Sequence, residues 1–184
     1  RHDEHYPEYI KAADIVSYDV YPVNSNLPLW YVGAGVRRLR GWANFEKPVW
    51  NCIETASIRG NAKPSPDDIK AEVWMSIING SMGIVYFCHQ FSPVSTDSAP
   101  LRDDETGAAL TAINRRIASL APVLNQPSVA NGVTVDSRNP DLPVEWMLKR
   151  HEEKTYLFAA GVRPDAESEV EFNLLGRGDI EALV

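Results

Sequence analysis

Lys47-Pro-Val-Trp-Asn-Cys-Ile-Glu54-Thr-Ala56 is the stretch that decides the fold of this chain. A proline opens the run, β-branched and aromatic residues fill it, and a carboxylate closes it. It therefore reads as an apolar strand, Pro48 to Glu54, that delivers Glu54 to its carboxyl end. A long polar loop, Thr55 to Pro64, follows, and then Ser65-Pro66-Asp67-Asp68 supplies an N-cap, a proline for the first helical position and acids for the first turn. Ile69, Val73, Trp74 and Ile77 give that helix its apolar stripe, and Gly80 gives it a stop. Strand, exposed loop and helix in this order are the unit of α/β architectures whose chemistry collects at the carboxyl ends of the strands. Glu54 is thereby the leading candidate for a catalytic group.

The unit recurs on both sides of this stretch. Upstream, Ala13 to Pro22 is rich in β-branched and aromatic residues and closed by proline, which reads as a strand running into a loop. A helix from about Leu29 to Asn44 follows, with Val32, Val36, Leu39 and Ala43 at helical spacing, weakened by Gly33 and Gly35. Downstream, Met82 to His89 is almost continuously apolar, as expected of a strand covered on both faces. It leads through a Ser/Pro/Asp-rich loop to a helix over about Thr106 to Leu120, where Leu110, Ile113, Ile117 and Leu120 fall in register. Strands that each precede a helix predict a parallel sheet. Its carboxyl rim then gathers Asp19 and Tyr21, Glu54, and His89 with Gln90.

From about Pro127 the pattern changes to strands without helices. Val144 to Arg150 and Thr155 to Ala160 flank the charged turn His151-Glu-Glu-Lys154 and predict a β-hairpin. Val170 to Leu175 alternates as a further strand, and Ile180 to Val184 begins another. The boundary falls at Asn125 to Ser128, so residues 1–126 form an α/β portion and residues 127–184 a β domain.

Composition narrows the function. The net charge of −7 is spread along the chain, with no basic run longer than Arg37-Arg38, so a groove that tracks phosphates is not expected and nucleic acid is a poor partner. No apolar run approaches the roughly 18 residues of a membrane span. The 2 cysteines, Cys52 and Cys88, fall in separate strands and read as buried free thiols rather than a disulfide or zinc framework. No metal site or cofactor motif is visible, and the compartment is left open.

The order Asp14-Ile-Val-Ser-Tyr-Asp-Val-Tyr-Pro22, then Pro48-Val-Trp-Asn-Cys-Ile-Glu54, then Gly83-Ile-Val-Tyr-Phe87 resembles strands six, seven and eight of a clan A glycoside hydrolase. That superfamily consists of retaining glycosidases on a TIM barrel. The resemblance spans about residues 7–122 and implies the C-terminal part of a (β/α)₈ barrel followed by an antiparallel β-sandwich-like accessory domain. It implies Glu54 as nucleophile, Tyr21 as the residue that orients it, with Tyr18 the weaker choice, and a carbohydrate substrate contacted by Asp19, Phe87, His89 and Gln90. Phe87, His89 or Phe91 is the aromatic floor of the sugar site. The acid/base glutamate of the clan ends strand four, which this chain lacks, so the chain alone is expected to be inactive. It then needs the remainder of the barrel or self-association. A closed barrel typically takes about 250 residues, and the chain starts in a helix-like segment and stops in a strand-like one.

Structural readings compete with each of these. Glu54 could be a solvated loop acid, Asp19 and Tyr21 could satisfy loop backbone, and His89 could be a satisfied structural histidine. Trp50 and Trp74 are expected in the core. The alternative from another class is a non-catalytic carbohydrate-binding or scaffold module that works with a partner chain.

Overall fold

The computed structural model describes residues 3–163 and 167–175, and the strand expected over residues 180–184 lies outside them. The fold is mixed α/β with small sheets. It divides into two compact units, residues 1–119 and 120–184.

In the first unit a short helical turn, Asp3–His5, runs into α1 (Tyr6–Ile10), followed by β1 (Val16–Asp19), α2 (Tyr31–Trp42), β2 (Val49–Glu54), α3 (Pro66–Ile78) and β3 (Gly83–Phe87). A second helical turn, Ala99–Arg102, precedes α4 (Asp104–Leu124), which runs on into the second unit. The three strands form one parallel sheet in the order β1-β2-β3, with Asp19 opposite Cys52 and Glu54 opposite Phe87. The central strand is the one that carries Glu54.

Alternation along the strands sorts their side chains between two environments. On one face Tyr18 and Asn51 are register partners. The Tyr18 ring fills the space beside Gly35 of α2, where an added Cβ would come within 1.8 Å of it. Asn51 Nδ2 donates to Ser76 Oγ of α3 at 2.7 Å. Both helices therefore cover this face. Ile10, Val16, Val36, Leu39, Ala43 and Val49 form its core, against which Ala13, Tyr18 and Trp42 pack. Lys47 Nζ fastens the approach to β1 by donating to the carbonyls of Ile10 and Ala13.

The opposite face carries Ser17, Asp19, Trp50, Cys52, Gly83 and Val85 in register. Two expectations are corrected here. Trp50 is 39 % exposed rather than core, its indole lying over Gly83, and Val85 on β3 is 39 % exposed rather than covered on both sides. A near-continuous apolar run signals two faces suited to burial, but not what buries them.

Helix α3 starts as its sequence announces. Ser65 Oγ accepts from the Asp68 amide and the Asp68 side chain accepts from the Ser65 amide, a complete capping box with proline in the first turn. Gly80, at φ +95°, turns the chain out of the helix, a conformation that a Cβ would strain. Helix α4 begins two residues earlier than its apolar register suggests, because Asp103 caps it by accepting from the Thr106 amide at 2.7 Å.

The second unit contains β4 (Val133–Ser137), β5 (Val144–His151), β6 (Lys154–Gly161) and β7 (Val170–Leu174). The hairpin β5-β6 pairs through His151 and Lys154, which leaves Glu152 and Glu153 as its turn, with Glu152 at φ +54°. Strand β4, absent from the sequence reading, pairs antiparallel with β7, so this unit holds two two-stranded sheets among the described residues.

Candidate functional site

The loops that leave the carboxyl ends of β1 and β2 meet at Glu54. Val23 donates its amide to Glu54 Oε1 at 2.5 Å, while Asn24 donates its amide and its Nδ2 to Oε2 at 2.9 and 2.5 Å. A carboxylate offers about four acceptor sites, so three donors leave one, on Oε1. Hydrogen bonds to an ionised acceptor are the strong ones, and together they fix the plane of the carboxylate. Glu54 is 0 % exposed, so the reading of it as a solvated loop acid is corrected.

Asn24 is the hub of this arrangement. Its Nδ2 also donates to the Ala56 carbonyl at 2.9 Å, and its Oδ1 accepts from the Ile58 amide at 2.8 Å. Asn61 Nδ2 donates to the Asn24 carbonyl at 2.6 Å, so the loop after β2 is tied to the loop after β1 through one residue. At the other side of the rim, Thr55 Oγ1 donates to the Phe87 carbonyl and links the ends of β2 and β3.

Tyr21 lies beside Glu54, but its hydroxyl donates to Asp19. Burial first, then the hydrogen bond to and the charge of Asp19, with smaller contributions from Cys52 and Glu54, push the phenol far above its ordinary range. Tyr21 therefore keeps its proton. The orienting role expected of Tyr21 is carried by Val23 and Asn24, while Tyr21 and Asp19 form a polar pair next to the carboxylate. The same surroundings raise the Cys52 thiol, through burial and then Asp19, so it is no activated nucleophile.

Aromatic rings continue the rim. Phe87 meets Tyr21 at 5.1 Å between centroids and Phe91 at 6.4 Å, and His89 meets Phe91 at 4.2 Å. His89 Nδ1 faces Asp97 Oδ1 at 2.9 Å. Gln90 is spent within its own loop: its backbone pairs with Thr96 in both directions and its Nε2 donates to the Val94 carbonyl. Phe91 is the most open of the rim aromatics at 53 % exposure.

Sequence reasoning missed two site residues. Asn24 gave no signal, since its loop Val23-Asn-Ser-Asn26 differs little from any polar turn. Glu72 did give one. Ile69, Glu72, Val73 and Ser76 stand at i, i+3, i+4 and i+7 of α3, so a carboxyl sits on the buried stripe, and all four are buried. Glu72 is 0 % exposed. Burial, and then the neighbouring Glu54 and Asp68, push its carboxyl up to about 10.

Among the described residues, no group of three or more His, Cys, Asp or Glu side chains is placed to hold a metal ion, and no helix is long and apolar enough to cross a membrane. In comparisons with known proteins, no family model, no curated protein and no solved structure matches this chain.

Proposed function

We propose that this chain is a segment of a retaining β-glycosidase, in which Glu54 is the nucleophile and the three-stranded sheet belongs to an eight-stranded barrel. The observation that carries the reading is the setting of Glu54: a carboxylate at the carboxyl end of the central parallel strand, oriented by three hydrogen bonds and flanked by Tyr21, Asp19 and Phe87. In such a reaction a Glu54 oxygen attacks the anomeric carbon as the bond to the leaving oxygen breaks. The leaving oxygen takes a proton from a second carboxyl, which this reading assigns to a segment outside the chain. Water then releases the sugar and returns a proton to that group. Oε1, which accepts one of the three bonds, is the oxygen with a site to spare. The substrate is a poly- or oligosaccharide, for which Phe87 and Phe91 offer ring faces. The exposed face around Trp50 and Val85 is where the rest of a barrel, or a second copy, would pack.

A second reading is favoured by one observation. Glu54 is wholly buried with both oxygens engaged, which suits a structural clamp in a non-catalytic carbohydrate-binding or scaffold module. The two readings part on chemical rescue. With the acid/base segment present, Glu54→Ala is expected to lose roughly 10⁴-fold or more in turnover of an aryl β-glycoside. Azide should restore turnover and yield the α-glycosyl azide, because the small anion enters from the side the carboxylate occupied. A variant that keeps the parent rate contradicts the nucleophile assignment and favours the scaffold.

A further inference from the structure

The interior between α3 and the rim holds a feature that the proposed displacement does not use. Both oxygens of the Glu72 carboxyl are buried without a hydrogen-bond partner. Nearby, Ser76 Oγ donates to the Glu72 carbonyl and Asn51 Nδ2 donates to Ser76 Oγ, while Asn51 Oδ1 is itself buried without a partner. The charged groups facing the Glu72 carboxyl are Glu54 from β2 and Asp68 one turn earlier on its own helix, and both are acids. As a carboxylate, Glu72 would be a buried charge with no donor and two like charges nearby, one of the costliest arrangements a protein interior can hold. A single proton removes the conflict. It turns one orphaned oxygen into a donor, and the neighbouring carboxylate able to accept from it is Glu54.

Glu54 has one acceptor site left after Val23 and Asn24 are served. We propose that Glu72 is a positioning residue for Glu54: as a carboxylic acid it donates the last hydrogen bond that the Glu54 carboxylate accepts in the resting protein. The pair then carries one proton and one negative charge. Glu54 is fixed from two directions, by the loop after β1 and by helix α3. A substrate that draws on the remaining lone pair of Glu54 competes with Glu72 for it. The catalytic meaning of this contact rests on reading Glu54 as the nucleophile, whereas the contact itself does not.

The test is carbon-detected NMR of the glutamate carboxyls in the full 184-residue chain, followed from about pH 5 to about pH 9, a span in which an ordinary glutamate is ionised. The Glu72 resonance is identified by its loss in Glu72→Gln. It is expected to keep the chemical shift of a protonated acid across the range. Glu72→Gln retains a donor and should leave the Val23 and Asn24 amide resonances in place, whereas Glu72→Leu removes the donor and should move both. A Glu72 resonance at the ionised position, or amides indifferent to the leucine, would overturn the proposal. If the leucine variant does not fold, the Glu72 resonance and the glutamine variant decide alone. None of these signals needs turnover, so a protein without glycosidase activity leaves this result standing, and the reverse also holds.

Discussion

Glu54→Ala lowers the stability of the fold by about 3–5 kcal/mol, because three donors lose their acceptor together and each unsatisfied buried donor costs about 1–3 kcal/mol. Two of them are the backbone amides of Val23 and Asn24, and the third is Asn24 Nδ2, which keeps the Ala56 carbonyl as a second acceptor. Water entering the vacated space offsets part of the loss. Glu54→Gln is expected to be intermediate, since its amide nitrogen must turn toward a donor. Urea denaturation reads the effect. A surface acid changed in the same way would move stability by about 0.5 kcal/mol or less, and a value that small would contradict the clamp. Combining Glu54→Ala with Asn24→Ala should cost less than the sum of the two, as both remove one contact.

Glu72→Gln flattens the dependence of stability on pH and overtakes the parent in alkali. The sign follows from where the proton resides. Unfolded, the Glu72 carboxyl ionises near its ordinary value of 4.5, while in the fold burial, then Glu54 and Asp68, push it up to about 10. Between those values the folded state holds a proton that the unfolded state has released, so stability falls as pH rises. The slope for one such group is at most about 1.4 kcal/mol per pH unit, which places the upper bound of the loss near 3 kcal/mol at about pH 7. Glutamine carries no titrating proton and removes this slope. Its buried amide still needs a partner, so the gain at neutral pH is smaller than that bound. On the acid side Asp103 acts in the opposite sense. Hydrogen bonds from Lys63 and then Thr106 lower its carboxyl to about 2, so the stability it contributes is present above its ordinary value of 3.8 and is lost as pH falls toward 2. Thermal unfolding from about pH 5 to about pH 9 reads Glu72 alone, because the contribution of Asp103 is fully present throughout that range. A glutamine variant with the parent's slope would mean that Glu72 is ionised in the fold.

Local chemistry explains what the sequence revealed of this fold. Strand β2 was legible because a proline and a polar loop bracket a short run with Val49, Trp50 and Ile53. Helix α3 was legible because Ser65, Pro66 and Asp68 act within one turn of each other. The hairpin β5-β6 was legible because the charged residues His151 to Lys154 interrupt two strand-like runs. Strand β4 was not, since Val133 to Ser137 is short and its pairing partner, β7, lies more than thirty residues further on. The exposure of Trp50 and Val85 was also hidden, because apolar character does not specify its cover. At the site, the position of Glu54 was readable and its surroundings were not. The three bonds that hold it come from residues about thirty positions earlier, and only the folded chain brings Val23 and Asn24 to it. Glu72 stood in plain sight as an acid on an apolar helical stripe.

The most direct measurement is covalent trapping. A 2-deoxy-2-fluoro glycoside bearing a good leaving group forms a stable glycosyl ester with the nucleophile of a retaining glycosidase and needs little help from an acid. Applied to this chain together with the segment that supplies the acid/base group, and followed by intact mass and peptide mapping, it should add one sugar, on Glu54. A sugar ester on any other residue, or an unlabelled protein across a panel of such glycosides, would contradict Glu54 as the nucleophile.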